Sequence, residues 1–164
     1  MRREDLDVVV KALRAPTNRF VHEARVRTCL IVNGAGQALA QHGFTRAYEV
    51  VNIATLAAAA HAAAGALARL TEGERWTHLH NAGTRQQMFL APFRTPVEEL
   101  ILVAIFDEDS SLGLVQLFFD RLVSEIQALP EFQRAAAASS QASFEKDLEA
   151  GARRTTSTDG LAEA

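Results

Sequence analysis

The chain has 164 residues, 48% of them hydrophobic, which fits one globular domain and is too apolar for a disordered chain. Its 17 basic and 20 acidic residues leave a net charge of −3, without the basic excess of a dedicated nucleic-acid binder, so no nucleic-acid partner is expected. Cys29 is the only cysteine, which excludes an intrachain disulfide and suits the reducing cytoplasm as a small buried apolar group.

The opening segment, MRREDLDVVVKALRAP, turns acidic at once and holds only a three-residue apolar stretch, so export is not expected. Residues Asp5 to Arg14 read as helix, with Leu6, Val9, Val10 and Leu13 on one face. Pro16 has no amide hydrogen and is expected to break or kink that helix, and a second helical piece runs from Thr17 to Arg25. Val26 to Val32 reads as a strand. Asn33-Gly34-Ala35-Gly36 then tolerates positive φ, and Gln37 to Gln41 returns as a second strand. This glycine turn lacks the Lys-Ser/Thr of a nucleotide loop and leads into strand, which favours a hairpin over a phosphate cradle.

A long helix is predicted over Ala47 to Thr71. Ile53, Leu56, Ala60, Ala63, Leu67 and Leu70 form its bulkier stripe, expected to face the core. Thr55, Ala58, Ala62, Gly65, Ala66 and Arg69 form a stripe almost without bulk, expected to face outward and to admit another backbone closely. The segment is Ala-rich and interrupted by Thr55, His61, Gly65 and Arg69, so it is read as a soluble helix rather than a membrane span.

Three strands follow, at Trp76–His80, Gln86–Ala91 and Leu100–Phe106, and the last is a continuous apolar run that suits a central position. Asp107 to Ser111 supply capping oxygens and negative charge before a helix at Leu112–Leu129, with Leu114, Phe118, Leu122, Ile126 and Leu129 inward and Pro130 as its stop. Beyond Pro130 a short helix is expected at Ser143–Ala150, and Gly151 to Ala164 reads as disordered. The resulting division is a domain over 1–130, with a helical extension over about 1–25, and a partly helical or disordered tail over 131–164.

No residue cluster here reads as an active site. His78 and His80 share a strand face and could bind zinc, but no cysteine lies near and ordinary strand histidines are favoured; no metal or cofactor is expected. Asp107-Glu108-Asp109 reads as helix capping rather than as an acid pair. Ser110 and Ser111 lack a nucleophile-elbow motif. Arg69, Arg75 and Arg85 are the cations able to contact a partner's nucleotide, although most exposed arginines are simply solvated, and Arg153-Arg154 could tether a second partner.

Three stretches carry a family resemblance: Cys29-Leu-Ile-Val-Asn-Gly-Ala-Gly36, Ala54-Thr-Leu-Ala with Gly65-Ala-Leu-Ala-Arg-Leu70, and Leu100 to Leu117. With the order α-β-β-α-β-β-β-α they resemble the Roadblock/dynein light chain superfamily over residues 20–129. Ile105-Phe-Asp running into Ser111-Leu-Gly-Leu-Val, and His80 followed by Gly83, are similar to its bacterial MglB-like branch. The resemblance implies an α/β three-layer sandwich on a five-stranded mixed or antiparallel sheet. It also implies a homodimer that pairs long helices and third strands, and a non-catalytic, cytoplasmic activator of a Ras-like small GTPase of the MglA type in cell polarity or motility. The alternative within the same fold is a scaffold that binds partners without stimulating hydrolysis. Carried onto this chain, Ala58, Ala62, Gly65, Ala66 and Arg69 would receive the GTPase, while Trp76, His78 and His80 would lie at the dimer interface. The chain departs from the family pattern at Ala59-Ala60, where Gly-Asn is frequent, and at His61, where a small apolar residue is.

Overall fold

The computed structural model describes residues 3–44, 46–71 and 75–156. Helix α1 (Arg3–Ala24) leads into strands β1 (Thr28–Asn33) and β2 (Ala38–His42), followed by helix α2 (Ala47–Leu70). Strands β3 (Leu79–Ala82), β4 (Gln87–Arg94) and β5 (Glu99–Phe106) come next, and helices α3 (Leu112–Ala128) and α4 (Pro130–Thr156) close the described chain. The strands form one sheet in the order β2-β1-β5-β4-β3 with every pairing antiparallel. The expected continuous apolar strand is β5, at the centre, with Leu100 to Ala104 and Phe106 all buried. Helices α1, α3 and α4 cover one sheet face and α2 covers the other, which makes three layers.

Pro16 does not interrupt α1. Val9, Leu13, Phe20 and Ala24 recur at helical spacing and are all buried on the sheet, and this shared apolar face carries the helix past the missing amide. The Thr17 hydroxyl adds a 2.7 Å hydrogen bond to the Leu13 carbonyl. The glycine turn between β1 and β2 is a hairpin, with Gly36 at φ +79 and the Asn33 side chain accepting from the amides of Ala35 and Gln37.

Strand β3 starts three residues later than expected. Its register sets Leu79 opposite Leu90, so an earlier start would bring Thr77 opposite Pro92, which has no amide to donate. Trp76 to His78 therefore approach the sheet edge outside the ladder. Helix α3 begins where expected, with the Ser111 hydroxyl accepting from the Leu114 amide at 3.2 Å. Its deepest face is Val115, Leu122 and Ile126; Leu114, Phe118 and Leu129 are not fully buried.

Pro130 ends α3 and also starts α4, since its fixed φ suits the first position of a helix. Phe132 and Ala135 anchor α4 against the body. Good helix formers carry it well beyond the short helix expected at 143–150, as one continuous element to Thr156. Of the end expected to be disordered, residues 151–156 belong to α4, and residues 157–164 lie outside the described residues.

Candidate interaction face

The largest departure from expectation is the rotation of α2. Its buried residues are Ala54, Ala57, Ala64 and Ala68, not the bulky stripe. Leu56, Leu67 and Leu70 are 68%, 51% and 82% exposed, Ala63 is exposed, and Ile53 and Ala60 are half-buried. The sheet beneath already presents Leu30, Val32, Leu90, Ile101 and Val103, so a helix offering alanines seats its backbone close to that filled surface. The leucines are left pointing outward. By length and composition alone α2 could cross a membrane, yet its alanine face lies on the sheet, and most of its circumference is open.

No residue of the sparse stripe is fully buried, although Ala58 packs against the cluster beneath α2. Ala62 and Arg69 are exposed, and Ala58, Gly65 and Ala66 are half-buried. Part of it borders a cleft of about 480 Å³ between α2 and the β3–β4 edge, where Ala62, Gly65 and Arg69 meet Trp76, His78 and Leu79. The structure thus brings residues expected to serve partner binding and residues expected to serve dimerisation into one cavity. Ala58, Ala66 and His80 lie outside its lining.

Trp76 is 44% exposed beside this cleft. His78 and His80 do share a face: His78 lies 5.2 Å from the Phe89 ring, and His80 stacks on Phe106 at 6.3 Å. His78 also approaches Gln116, and His80 Nε2 lies 2.8 Å from Gln87 Oε1. Among the described residues no three metal-binding side chains come together.

His61, Arg75 and Glu99 of the cleft lining belong to a charged cluster that no spacing in the sequence announces. Glu99, at the start of β5, meets His61 Nε2 at 3.0 Å and Arg75 at 2.5 Å, with Arg94 4.0 Å away. Burial alone would raise the Glu99 carboxyl, but hydrogen bonds from Arg75 and His61 outweigh it and hold the group below the usual carboxylate range. His61, the departure from the family pattern, therefore ties α2 to β5 rather than projecting from the outer face. Arg75 is engaged in the same cluster. Arg85 lies at the far end of the sheet, on the β3–β4 turn beside Arg27 and Asp107.

The acidic run after β5 has a structural role. Asp107 is buried; its carboxylate accepts from the Asp109 amide at 3.1 Å and pairs with Arg27, while the Ser110 hydroxyl donates to the Ala24 carbonyl at 2.5 Å. The Asp109 amide, and after it Arg27, hold the Asp107 carboxyl below its ordinary range. A carboxyl with a lower value folded than unfolded stabilises the fold at neutral pH, and that contribution is lost as pH falls through and below about 4. The urea midpoint should therefore fall between pH 6 and pH 3, and Asp107→Asn should flatten that fall; an unchanged slope in the variant would contradict this role. Burial pushes the Cys29 thiol up, so it stays protonated within the core.

The sequence matches the Roadblock/LC7 domain model over residues 16–106, more than half of the chain. The chain belongs to the Roadblock/LC7 domain family. Its fold is similar to that of Myxococcus xanthus MglB, at 26% identity and a TM-score of 0.64, over 71% of this chain and 92% of that one. A gliding protein MglB from Thermus thermophilus shares the fold at 23% identity and a TM-score of 0.62, covering 82% of this chain and 95% of that one. A Roadblock/LC7 domain from Streptomyces avermitilis shares it at 12% identity and a TM-score of 0.60, over 69% and 92% of the two chains. No curated protein sequence matches. This Roadblock chain is thus MglB-like in structure, with Leu56, Leu67 and Leu70 of α2 and Trp76 before β3 among its exposed apolar side chains.

Proposed function

We propose that this Roadblock chain is a homodimeric, non-catalytic activator of a prokaryotic Ras-like small GTPase of the MglA type, acting in the cytoplasm in cell polarity or motility. The observation that carries the reading is the exposure of α2. A 24-residue helix fully buries only four alanines on the sheet and leaves Ala62, Arg69, Leu56, Leu67 and Leu70 exposed. So much apolar surface on one element marks a protein contact. The likeness in fold to Myxococcus xanthus MglB supports an MglB-like regulator.

In this reading two protomers pair about a two-fold axis across the β3 edges, with Trp76, His78 and His80 at the junction. The two α2 helices then stand side by side. Ala58, Ala62, Gly65, Ala66 and Arg69 form the low surface on which the GTPase docks, because alanine and glycine let another backbone come close. Activation works by reshaping the GTPase so that its own residues reach the nucleotide, since phosphoryl transfer responds to positioned charge whatever supplies it. The Roadblock domain over 1–130 is joined by the first turns of α4, whose Phe132 and Ala135 enter its core, and the rest of α4 serves as an appendage.

Phosphate release by a Ras-like GTPase from the same cell, with and without this protein, tests the proposal. Stimulation of about a hundredfold or more is expected, against the roughly 10³–10⁵ reached by arginine-finger activators. Binding without faster release would make the protein a scaffold, and no binding would end the reading.

A further inference from the structure

Trp76, the only tryptophan in the chain, sits on a segment that the sheet does not hold. Arg75 to His78 precede the β3–β4 ladder, which starts at Leu79, and among the described residues their backbone makes no hydrogen bond outside it. Side chains hold the segment instead. His78 ties its end, against the Phe89 ring of β4 at 5.2 Å and Gln116 of α3 at 3.3 Å. Arg75 ties its start, on the Glu99 carboxylate at 2.5 Å. Trp76 lies between these two anchors.

The anchor at Glu99 is itself fixed from several sides. Glu99 opens β5 and stands opposite Arg94 in the ladder, so its backbone is set by the sheet. His61 of α2 meets Oε1 at 3.0 Å, which leaves Oε2 for Arg75. Arg94 adds positive charge 4.0 Å from the same Oε2. One carboxylate thus joins α2, β5 and the segment before β3. His61, Arg75 and Glu99 line the same cleft as Trp76.

We propose that Glu99 is a positioning residue for self-pairing: through Arg75 it holds Trp76 at the place where a second copy meets it. The inference rests on the pairing at the β3 edge proposed above and adds what keeps its anchor in place. An aromatic side chain contributes most to a contact when its position is set before association, because less motion is then lost on binding. Arg75 is the chain neighbour of Trp76, so fixing its guanidinium limits where the indole can go. The ion pair can bias the segment by no more than its own strength. An exposed pair shifts an equilibrium by up to about fivefold, and a two-fold dimer holds two of them, so loss of the pair should weaken pairing about tenfold.

Intrinsic fluorescence of the full chain reads this segment directly, because no other tryptophan emits. Time-resolved anisotropy in dilute protein separates local motion of Trp76 from tumbling, and sedimentation over a concentration series gives the dimer Kd. Arg75→Ala and Glu99→Ala should each enlarge the fast local component about twofold and raise Kd about tenfold. The double variant should be no worse than either single one, as expected of two residues that act as a unit. Arg75→Lys should restore both readouts towards wild type, since an ammonium still pairs with the carboxylate. Arg75 is 62% exposed and outside the ladder, so its variants should keep the wild-type far-UV spectrum. Trp76 moving no more in Arg75→Ala than in the wild type overturns the proposal, and so does greater motion with an unchanged Kd. A wild-type chain that stays monomeric at every concentration ends the pairing reading and this inference together. Pairing with Trp76 unaffected in the variants ends this inference alone.

Discussion

A chain carrying Ala62→Arg and Ala66→Arg should stay folded while its affinity for the GTPase falls at least about a hundredfold, or about 2.7 kcal/mol. Ala62 is exposed and Ala66 half-buried, whereas the alanines that seat α2 on the sheet are at 54, 57, 64 and 68. The new side chains therefore extend away from the core. What they remove is close approach: inserting bulk into a packed contact typically costs about 1–3 kcal/mol at each site. Ala66 lies outside the cleft that Ala62 lines, so Ala66→Arg alone separates lost docking from lost pairing. Unchanged affinity in a titration of the double variant would show that the GTPase does not use this stripe.

The second large effect is expected at the β3 edge. At low micromolar concentration the protein should scatter light as a species of about 36 kDa, twice its 17.9 kDa. Trp76→Glu with His80→Glu should reduce that to the monomer mass. Both residues are exposed in the protomer, and His80 gives up only its contacts to Gln87 and Phe106, so the fold should survive. Across a two-fold axis each introduced carboxylate would be brought near its own copy, and a desolvated aromatic anchor would be lost at the same time. A variant that keeps the wild-type mass would place the dimer contact elsewhere.

Much of the fold was legible because the strongest signals are local. The apolar run at 100–106 has to be a buried strand, Asn33 to Gly36 has to turn, and the helix at 47–70 matched its predicted span to within one residue. The rotation of that helix was not legible. Reading bulk as core is sound for helices over open ground, but here the sheet already supplies the large side chains and the fully buried positions of the helix are all alanine, with Val50 and Ile53 packing at the margin. Helix α1 passes Pro16 and β3 starts late for a shared reason: tertiary packing on one side, and Pro92 on a neighbouring strand on the other, overrule the local text. The His61–Glu99–Arg75 cluster joins residues 38 and 24 positions apart, and no motif spacing could have revealed it.

The candidate face was legible in composition but not in geometry. Ala58, Ala62, Gly65, Ala66 and Arg69 read from the sequence as a surface free of bulk, and each is exposed or half-buried on α2. That Leu56, Leu67 and Leu70 would join them outside the core followed only from the coordinates. The exposed face is accordingly broader and more apolar than a stripe of alanines.

The most direct measurement is a calorimetric titration of this protein with a Ras-like GTPase from the same cell, loaded with a non-hydrolysable GTP analogue. Saturation at one GTPase per two chains, abolished by Ala66→Arg in a protein that remains a dimer, is the predicted result. Saturation unaffected by that change, or no heat of binding at any ratio, would contradict the assignment of α2 as the docking face.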